Sequence, residues 1–544
     1  MAENAEWDLV VIGGGITGAG IFREATRRKL KVLLVEQKDF AWGTSSKSSK
    51  MVHGGLRYLG SGQFGLTRDS VHERQRLMTE VPGLVDPLNF LMGHYKFKFP
   101  GPRIFNLLLT IYDWMAGKRN HRYVKGDGYS LLAPGLKKQA LSGVTQFGDA
   151  VTDDARLVMR VLNEGRQEGG VAINYLSAKK IERQEGKLTG VQLCDQETGS
   201  VFTVNCKAVV NATGAWTDTL RTQSGADSVI RPLRGSHLIF PQWRLPVSYS
   251  VSFFHPEDHR PVFLFPWEGV AVAGTTDLDH QLQADAEIAI TQSEVDYLLA
   301  GINAQFPSAK VSESDVIASY AGVRPVVGSG ALNPSSEKRE HSIWDDQGMI
   351  SVAGGKLTTF RLIALDVLAE VSRYIPDFAV EASDNTIFKD QCTLPQLSEQ
   401  NEQKPMPDRL TSVALKRLLG RYGGVCRAMV ANAAPEQLHR VHTTDTLWAE
   451  VAWVLQHEAI VHLDDVMLRR TRLGLLIPQG GKCVLPQIKL MCKQYLGWDE
   501  RRWHKELADY LEIWQKYYSL PKFQQCGLED VSKSDARHSM VAAL

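Results

Sequence analysis

Cysteine is scarce in this 544-residue chain, which has seven cysteines scattered along its length. Their number is odd, and no two of them are spaced as C-x-x-C. This pattern argues against a disulfide framework and against a cysteine zinc site, and it is typical of a reducing compartment.

Long apolar runs and an excess of charge of one sign are missing as well. No uninterrupted apolar run reaches the roughly 18 residues of a membrane-spanning helix. The acidic N-terminus lacks the basic region of a secretory signal. Because the net charge is only +1, we expect no nucleic-acid partner, and any basic site must be local.

The stretch from Asp8 to Glu36 reads as a strand, a glycine turn, a helix and a second strand. Within it, Gly13, Gly15 and Gly18 match G-x-G-x-x-G in the required context, after a strand and at the start of a helix. The glycines allow a tight turn, close approach to a pyrophosphate, and close packing of helix on strand. Glu36 is placed to accept hydrogen bonds from a ribose. The stretch predicts a dinucleotide site but does not distinguish FAD from NAD.

Residues 41–62 follow the second strand, at the edge where open α/β sheets bind ligands. They are rich in serine, glycine and lysine, and read either as a surface loop or as part of the site. His53 and Arg57 lie within one helical turn of each other if this part is helical. The hydroxyls beside the expected pyrophosphate belong to Thr44, Ser45, Ser46, Ser48 and Ser49.

A second glycine turn, from Gly354 to Thr359, opens a long helix whose first amides would stabilise negative charge. Three cations, Arg57, Arg324 and Lys356, each stand beside a glycine turn at a predicted strand end. Arginine offers a two-pronged donor to phosphate or carboxylate, and lysine offers a point charge. Each cation alone reads as a solvated surface residue, but their common placement indicates an anion site in one crevice.

The remaining chain predicts two further structural units. An apolar strand that ends at Ala212 and Gly214 returns the chain to the nucleotide-binding sheet. Short strands in residues 230–318 then indicate a second, mainly antiparallel sheet. Residues 409–518 have helical periodicity, which predicts a separate helical domain.

The segment from His457 to His462 is similar to a zinc-protease motif but has one residue too many. Histidines five apart on a helix point about 140° apart, so they do not share a face. We therefore expect no metal at this segment.

These segments together resemble the FAD-dependent glycerol-3-phosphate dehydrogenase family, over about residues 7–520. The resemblance implies an α/β fold. Its FAD-binding Rossmann-like domain would be of the glutathione-reductase and D-amino-acid-oxidase type, with an inserted β-rich substrate domain and a C-terminal α-helical domain. The matching segments are IGGGITGAG, TSSKSSKMVHGGLRYL, DDARLV, NATGAW, RGSHL, GTTD, AGVRP, GGKLTTFR and WVLQHEAIVHLDDVMLRRTRLG.

On this basis the FAD-binding domain is expected in three parts, and the other regions fall between or after them. The three parts are residues 1–90, 151–225 and 321–384. The other regions are a substrate- and membrane-facing insertion at 91–150, the substrate domain at 226–320, a linker at 385–408, the helical domain at 409–520 and a tail at 521–544.

The resemblance implies oxidation of sn-glycerol-3-phosphate at C2 to dihydroxyacetone phosphate, with FAD N5 taking the hydride and a membrane quinone taking the electrons. His53 and His237 are both candidates for the base, and the sequence does not choose between them. Arg57, Tyr58, Arg324 and Lys356 would bind the substrate. The residues implied for FAD are Gly13, Gly15, Gly18, Glu36, Thr44, Ser45, Ser49, Ala212, Gly214, Gly355, Leu357 and Thr358.

A membrane contact is expected through the apolar stretch from Ile104 to Ala116, too short to cross a bilayer and flanked by basic residues. Its polar positions, Asn106, Thr110 and Asp113, form one narrow stripe of a helix. The pattern alone slightly favours a helix buried in the substrate domain. The resemblance reverses that order and implies a peripheral protein on the cytoplasmic face of the inner (cell) membrane, with homodimerisation left open.

Three other functions fit parts of the sequence. A glycerol-3-phosphate oxidase would use oxygen as the acceptor in place of quinone. A D-amino-acid or glycine oxidase-like flavoenzyme would need a carboxylate clamp and no phosphate site. A flavin-containing RNA-modification protein would need a basic face with aromatic side chains, against which the near-zero net charge argues.

Overall fold

The structure is a computed structural model that describes residues 6–60, 62–281, 287–328, 340–375, 386–389 and 410–521. All of the predicted tail at 521–544 except its first residue, and nearly all of the predicted linker at 385–408, lie outside these residues. Within the linker, Ile387 and Phe388 are buried and their backbone amides donate to the Glu80 carboxylate.

The strands fall into two sheets. In chain order they are β1 (Glu6–Ile12), β2 (Val32–Val35), β3 (Met51–Val52), β4 (Val85–Tyr95), β5 (His121–Val124), β6 (Leu141–Thr152), β7 (Val171–Ile173), β8 (Leu176–Gln184), β9 (Lys187–Asp195), β10 (Val201–Asn211), β11 (Ile230–Pro241), β12 (Ser250–Phe254), β13 (Pro261–Trp267), β14 (Val270–Gly274), β15 (Leu278–Asp279), β16 (Ala318–Val327), β17 (His341–Asp346) and β18 (Met349–Gly354).

The α-helices lie between these strands and then dominate the C-terminal third. They are α1 (Ile16–Arg27), α2 (Leu56–Gly60), α3 (Phe64–Glu80), α4 (Pro102–Met115), α5 (Asp154–Gln167), α6 (Thr217–Arg221), α7 (Gln292–Gln305), α8 (Phe360–Val371), α9 (Ser412–Tyr422), α10 (Cys426–Asn432), α11 (Trp448–His457), α12 (Leu473–Leu476), α13 (Leu485–Leu496) and α14 (Glu500–Tyr517).

The first sheet has a parallel centre in the order β7-β2-β1-β10-β18. Its central strands are continuous apolar runs because helices or loops cover both faces; Leu9, Val10 and Val11 are all fully buried. The carboxyl ends of β1, β10 and β18 meet at one edge, where the glycine turns after each strand come together.

The second sheet is mainly antiparallel and runs in the order β15-β11-β14-β13-β12-β4-β6-β3, with β16 paired to β11 and β5 paired to β6. The two regions predicted at 91–150 and 226–320 therefore share one sheet. β4 and β16 cross the predicted boundaries at residues 90 and 320, because their pairing partners lie inside this sheet.

The C-terminal helices pack against both other regions. One buried apolar cluster joins Phe265 and Trp267 of the second sheet to Leu468 and Leu473. Across the interface with the first sheet, buried Asp39 accepts hydrogen bonds from the Arg470 guanidinium. Among the described helices, none combines the length and hydropathy needed to cross a membrane.

Helix α4 differs from the expected single polar stripe. Asp113 is buried, where its carboxylate accepts hydrogen bonds from the Asn120 amide at 2.7 Å and the His121 ring at 2.6 Å. These partners come from the turn into β5, so Asp113 does not face water. The helix instead buries one apolar side and leaves another exposed. The buried residues are Phe105, Leu109 and Tyr112; the exposed apolar residues are Ile104, Leu107 and Trp114.

Candidate functional site

The turn after β1 forms a narrow cradle for a phosphate group. A methyl group on Gly18 would lie 1.9 Å from the Gly13 carbonyl oxygen, so α1 can approach β1 this closely only with glycine there. Gly15 is the N-cap of α1, and the next amide, that of Ile16, donates to the Ser45 hydroxyl at 2.9 Å. The first turn of α1 thus presents its positive end to this cradle.

Glu36 lies at the end of β2, beside the same turn. Its carboxylate accepts hydrogen bonds from the Gly14 amide at 2.7 Å and the Lys38 amide at 3.0 Å. Burial raises the pKa of Glu36, and the amide hydrogen bonds oppose that shift. The predicted ribose acceptor is therefore fixed at the rim of the cradle by backbone donors.

The three hydroxyls predicted for the cofactor each also bind part of the protein. Thr44 donates to the Val323 carbonyl of β16, and the Ser45 hydroxyl accepts the hydrogen bond from the Ile16 amide at the start of α1. The Ser49 hydroxyl lies 2.9 Å from His237 Nε2. This segment therefore links the phosphate cradle to the second sheet.

Two further turns complete the edge of the first sheet. A methyl group on Gly13 would lie 2.5 Å from the Ala212 carbonyl oxygen, which places the turn after β10 against the phosphate cradle. Gly214 and Gly355 both have positive φ, which glycine adopts without strain. Leu357 and Thr358 follow Gly355 in a short 3₁₀ turn that leads into α8.

His53 lies between these turns, in a group with Tyr58, Lys356 and Ser70. Its carbonyl oxygen accepts a hydrogen bond from the Thr358 hydroxyl at 3.2 Å, and its ring stacks at 6.5 Å from that of Tyr58. The Lys356 ammonium sits 3.7 Å from the centre of the Tyr58 ring and donates to Ser70 at 2.9 Å. The structure thus brings three of the predicted site residues together: His53, Tyr58 and Lys356.

His237 belongs to a second, deeper group. Its ring is 1% exposed and stacks on Tyr320, with centroids 4.5 Å apart and planes 12° apart. Burial lowers the pKa of His237 well below its usual value, and the positive charges of Lys50 and Arg324 lower it further. The ring is therefore neutral near pH 7.

Arg324 points into the second sheet from β16. Its guanidinium donates to the Asp277 carboxylate at 2.8 Å and to the Thr275 hydroxyl at 3.3 Å. Asp277 is buried and also pairs with Arg260 at 3.3 Å. Arg324 is thus a partly exposed cation held by a fixed carboxylate. Of Arg57, the other predicted substrate cation, only the backbone in α2 is described, and its side chain lies outside the described part of the structure.

Several residues at the site were not found from the sequence. Ser70, Tyr320 and Asp277 hold the predicted side chains, and buried Asp149 accepts a hydrogen bond from the Gly54 amide, next to His53. Only Asp277 lay in a segment with a recognised pattern, GTTD, and no local spacing marks the other three as partners.

The sequence pattern predicts His457 and His462 on one helix, but the structure does not place them there. Helix α11 ends at His457, so the two histidines do not share a helix. The His462 ring packs edge-to-face against Tyr175 and hydrogen-bonds to Glu506 and Glu197. Burial lowers the pKa of His462, but Glu506, Asp465 and Asp464 outweigh burial and raise this pKa to about 9. Within the described residues, no group of three histidine, cysteine or acidic side chains is arranged to hold a metal ion.

Comparison with known proteins identifies two family models along the chain. Residues 8–361 match the model described as FAD dependent oxidoreductase, and residues 384–503 match the C-terminal domain of alpha-glycerophosphate oxidase. The first match covers both sheets, and the second covers most of the helical domain. FAD is therefore the cofactor of this chain.

Relatives and a solved structure agree with these models. A glycerol-3-phosphate dehydrogenase 2 of Mycobacterium tuberculosis is 33% identical over 93% of this chain and 88% of its own. An aerobic glycerol-3-phosphate dehydrogenase of Staphylococcus aureus is 32% identical, over 86% of this chain and 87% of its own. The FAD complex of glycerol-3-phosphate dehydrogenase from Bacillus halodurans superimposes with a TM-score of 0.75, at 27% identity, over 94% of this chain and 96% of that one. The chain therefore belongs to the FAD-dependent glycerol-3-phosphate dehydrogenase family.

Proposed function

We propose that the protein oxidises sn-glycerol-3-phosphate to dihydroxyacetone phosphate. The observation that carries this proposal is the pair of cations, Lys356 and Arg324, on the turns and strands that surround the cofactor cradle. A phosphate ester needs such cations, and the charge-assisted hydrogen bonds that they form are about twice as strong as neutral ones. The relatives from Mycobacterium tuberculosis and Staphylococcus aureus, named glycerol-3-phosphate dehydrogenases, support the same substrate.

When bound, FAD would supply the hydride acceptor, its N5 atom, and the residues of this chain would supply orientation and proton transfer. Lys356 and Arg324 hold the phosphate and polarise the substrate oxygens. The Lys356 ammonium is itself fixed by Ser70 and by the face of Tyr58. The substrate is thereby oriented by groups that do not have to reorganise during the reaction.

We further propose that His53 is the base that removes the proton of the C2 hydroxyl. His53 is half-buried and stands in the same group as Lys356. A base must gain a proton during the reaction, and the depressed pKa of His237 makes its buried ring a poor acceptor. His237 serves instead as a neutral hydrogen-bonding group next to Ser49.

Replacement of Gly18 by alanine is expected to weaken FAD binding. The added methyl group would overlap the Gly13 carbonyl and push the start of α1 away from the phosphate cradle. Overpacking of this kind costs about 1–3 kcal/mol, or about five- to 150-fold in affinity. Flavin absorbance per polypeptide after dialysis measures the loss. Gly65→Ala is the control, because a methyl group there meets open space. Equal flavin content in both variants would contradict the placement of the cofactor.

We propose a membrane quinone as the final electron acceptor, and oxygen is the second candidate because the helical domain matches that of alpha-glycerophosphate oxidase. The test is anaerobic flavin bleaching by glycerol-3-phosphate, glycerol, glycine and D-amino acids in parallel. Reoxidation of the bleached enzyme by a quinone analogue or by oxygen then identifies the acceptor. Bleaching by an amino acid alone would reject the phosphate substrate, and fast peroxide formation in air would favour the oxidase.

The exposed side of α4 supports the quinone proposal, because a quinone reductase must reach a lipid-soluble acceptor. Ile104, Leu107 and Trp114 are 49%, 63% and 80% exposed, and Phe97 and Phe99 beside them are also exposed. Apolar and aromatic residues with flanking cations are typical of a helix that lies in the membrane interface. The exposed cations nearby are Lys96, Lys98, Arg103, Lys118, Arg119 and Arg122. We propose that this surface docks on the cytoplasmic face of the inner (cell) membrane.

Combined replacement of Ile104 and Leu107 by serine and of Trp114 by glutamine is expected to release the protein from lipid vesicles. Each large apolar side chain contributes about 1.5 kcal/mol or more when buried, so the three together correspond to at least about a thousandfold in binding. Cosedimentation with vesicles that contain anionic lipid measures the loss of binding, and activity toward a soluble dye is measured in parallel. The matched control is Trp243→Gln with Val413→Ser and Leu490→Ser, since these large apolar residues are also exposed but lie outside α4. Unchanged cosedimentation of the α4 variant would place the contact on another surface.

A further inference from the structure

Residues 46–50, between the phosphate cradle and β3, are held by one carboxylate. Asp154, the first residue of α5, accepts hydrogen bonds from the Ser48 amide at 3.0 Å and the Ser48 hydroxyl at 2.7 Å. It also accepts one from the Lys50 ammonium at 2.8 Å. Asp154 and Lys50 are both fully buried, so each charge depends on the other. The conformation of residues 46–50 is therefore fixed at Asp154.

A cation from the C-terminal domain completes this arrangement. The Arg472 guanidinium donates to Asp154, to the Asp153 carboxylate at 3.0 Å and to the Ser46 carbonyl at 3.3 Å. Arg472 is 1% exposed, and its φ of 63° is a left-handed conformation that residues other than glycine rarely adopt. The strained backbone at Arg472 is thus coupled to a side chain with three separate partners in and around residues 46–50.

The contacts of residues 46–50 extend to His237, the more deeply buried of the two candidate histidines. The Tyr320 hydroxyl donates to the Ser48 carbonyl at 3.0 Å, and the Lys50 ammonium lies 4.6 Å from the centre of the Tyr320 ring. Tyr320 stacks on His237, whose Nε2 is 2.9 Å from the Ser49 hydroxyl. A movement of residues 46–50 would therefore shift both partners of the His237 ring.

We propose that Arg472 is a positioning residue for the oxidation, by which the C-terminal domain fixes residues 46–50 and, through them, Ser49 and His237 at the cofactor. This inference rests on the proposed function for its kinetic readout. It assigns the helical domain a role in the reaction, in addition to covering the other two regions. Because a displacement of about 1 Å can reduce a rate by about a hundredfold, a contact this far from the chemistry can control it.

Arg156 provides the matched control. Arg156 lies in α5, as Asp154 does, and it is fully buried. Its guanidinium forms two hydrogen bonds with Glu458 of the C-terminal domain, at 2.7 and 2.6 Å. In the described part of the chain, the hydrogen bonds of its side chain go to Glu458 and not to residues 46–50. If Arg472 only joined the domains, loss of either arginine would have the same consequences.

The experiment compares Arg472→Met, Arg472→Lys and Arg156→Met as FAD-loaded full-length enzymes. Thermal unfolding, the flavin absorption spectrum and anaerobic flavin reduction by glycerol-3-phosphate are measured for each. Both methionine variants should unfold at lower temperature. Only Arg472→Met should shift the flavin spectrum and lower the maximal reduction rate by about 10- to 100-fold with little change in KM. Arg472→Lys, which keeps the charge beside Asp154, should recover part of that rate.

Equal rates and equal spectra for Arg472→Met and Arg156→Met would overturn the inference. If Arg472→Met does not fold, Ser48→Ala tests the proposal instead. This variant removes the hydrogen bond from the Ser48 hydroxyl to Asp154 without removing a charge. It should slow reduction by about tenfold and shift the flavin spectrum, and an unaltered variant would reject the proposal. Wild-type flavin that glycerol-3-phosphate does not bleach would instead reject the proposed function, while the spectral comparison would still test the positioning.

Discussion

Replacement of His53 by glutamine is expected to slow flavin reduction by glycerol-3-phosphate by about 10²–10⁴-fold, the usual contribution of a positioned general base. His237→Gln is expected to have a much smaller effect. The glutamine side chain is close in length to histidine and can keep a hydrogen bond to Ser49, but it cannot accept a proton near neutral pH. Anaerobic stopped-flow measurement of flavin bleaching at saturating substrate isolates this step from reoxidation.

The difference between the two histidines follows from their surroundings. His237 is enclosed by Tyr320 on one face, with Lys50 and Arg324 close enough for their charges to affect it. Burial and two positive charges all oppose protonation, so its pKa lies well below the usual value. His53 lies half-buried on a turn whose neighbours are Tyr58 and Thr358.

Flavin content must be equal in both variants for this comparison to hold, since Ser49 also stands near the cofactor cradle. Small and equal effects would mean that a water molecule or another side chain accepts the proton. A large effect for His237→Gln alone would exchange the two assignments. Tyr58→Phe is a useful companion, because it keeps the ring that stacks on His53 and Lys356.

The first strand, glycine turn and helix were predictable because their requirements are local. A short apolar run reads as a buried parallel strand, and Gly18 is needed wherever a helix packs this closely on such a strand. The family models confirm the FAD-binding fold, and they confirm FAD, which the family resemblance implied and which this stretch did not distinguish from NAD. The carboxyl-edge rule for parallel strands also explains why the turns after β1, β10 and β18 meet.

The partners of the site residues could not be predicted because they are distant in the sequence. Arg472 and Asp154 are 318 residues apart, and Lys356 and Ser70 are 286 apart. A serine or an aspartate in a helix has no local pattern that marks it as a partner of a distant cation. Such pairs arise from tertiary packing, which one sequence by itself does not reveal.

Helix α4 illustrates a related limit of periodicity. The spacing of its apolar residues predicts two faces, but not which of them another element covers. Phe105 and Leu109 pack into the main apolar cluster while Ile104 and Leu107 stay exposed, so the helix combines features of both alternatives. Asp113 is buried because a turn supplies its donors, and a count of polar positions cannot include that turn.

Removal of either cation that we propose to bind the substrate is expected to reduce kcat/KM for glycerol-3-phosphate by about 30- to 4000-fold. Loss of one partner from a buried, charge-assisted pair costs about 2–5 kcal/mol, and each 1.4 kcal/mol is about a factor of ten. The predicted variants are Arg324→Ala and Lys356→Ala, both with FAD retained. Steady-state kinetics with a soluble dye as acceptor measure the loss without involving the membrane.

For each cation, replacement of a neighbouring residue provides a control that separates loss of the charge from loss of its surroundings. Arg324→Ala removes one of the cations paired with the Asp277 carboxylate and leaves Arg260 in place, so Arg260→Ala is the control for effects that come only from Asp277. Ser70→Ala is the control for Lys356, because it removes the hydrogen bond that fixes the ammonium while the charge remains. Both controls should reduce kcat/KM much less than loss of the cation itself.

Inorganic phosphate separates binding of the phosphate group from an effect on the chemistry. If the two cations hold the phosphate, phosphate should inhibit the wild-type enzyme competitively and should bind Arg324→Ala and Lys356→Ala more weakly by a similar factor to their loss in kcat/KM. Near-normal kcat/KM in either variant would remove that cation from the phosphate site. A variant with slow turnover but unchanged phosphate inhibition would place its cation at the reacting oxygen, where it would stabilise developing negative charge.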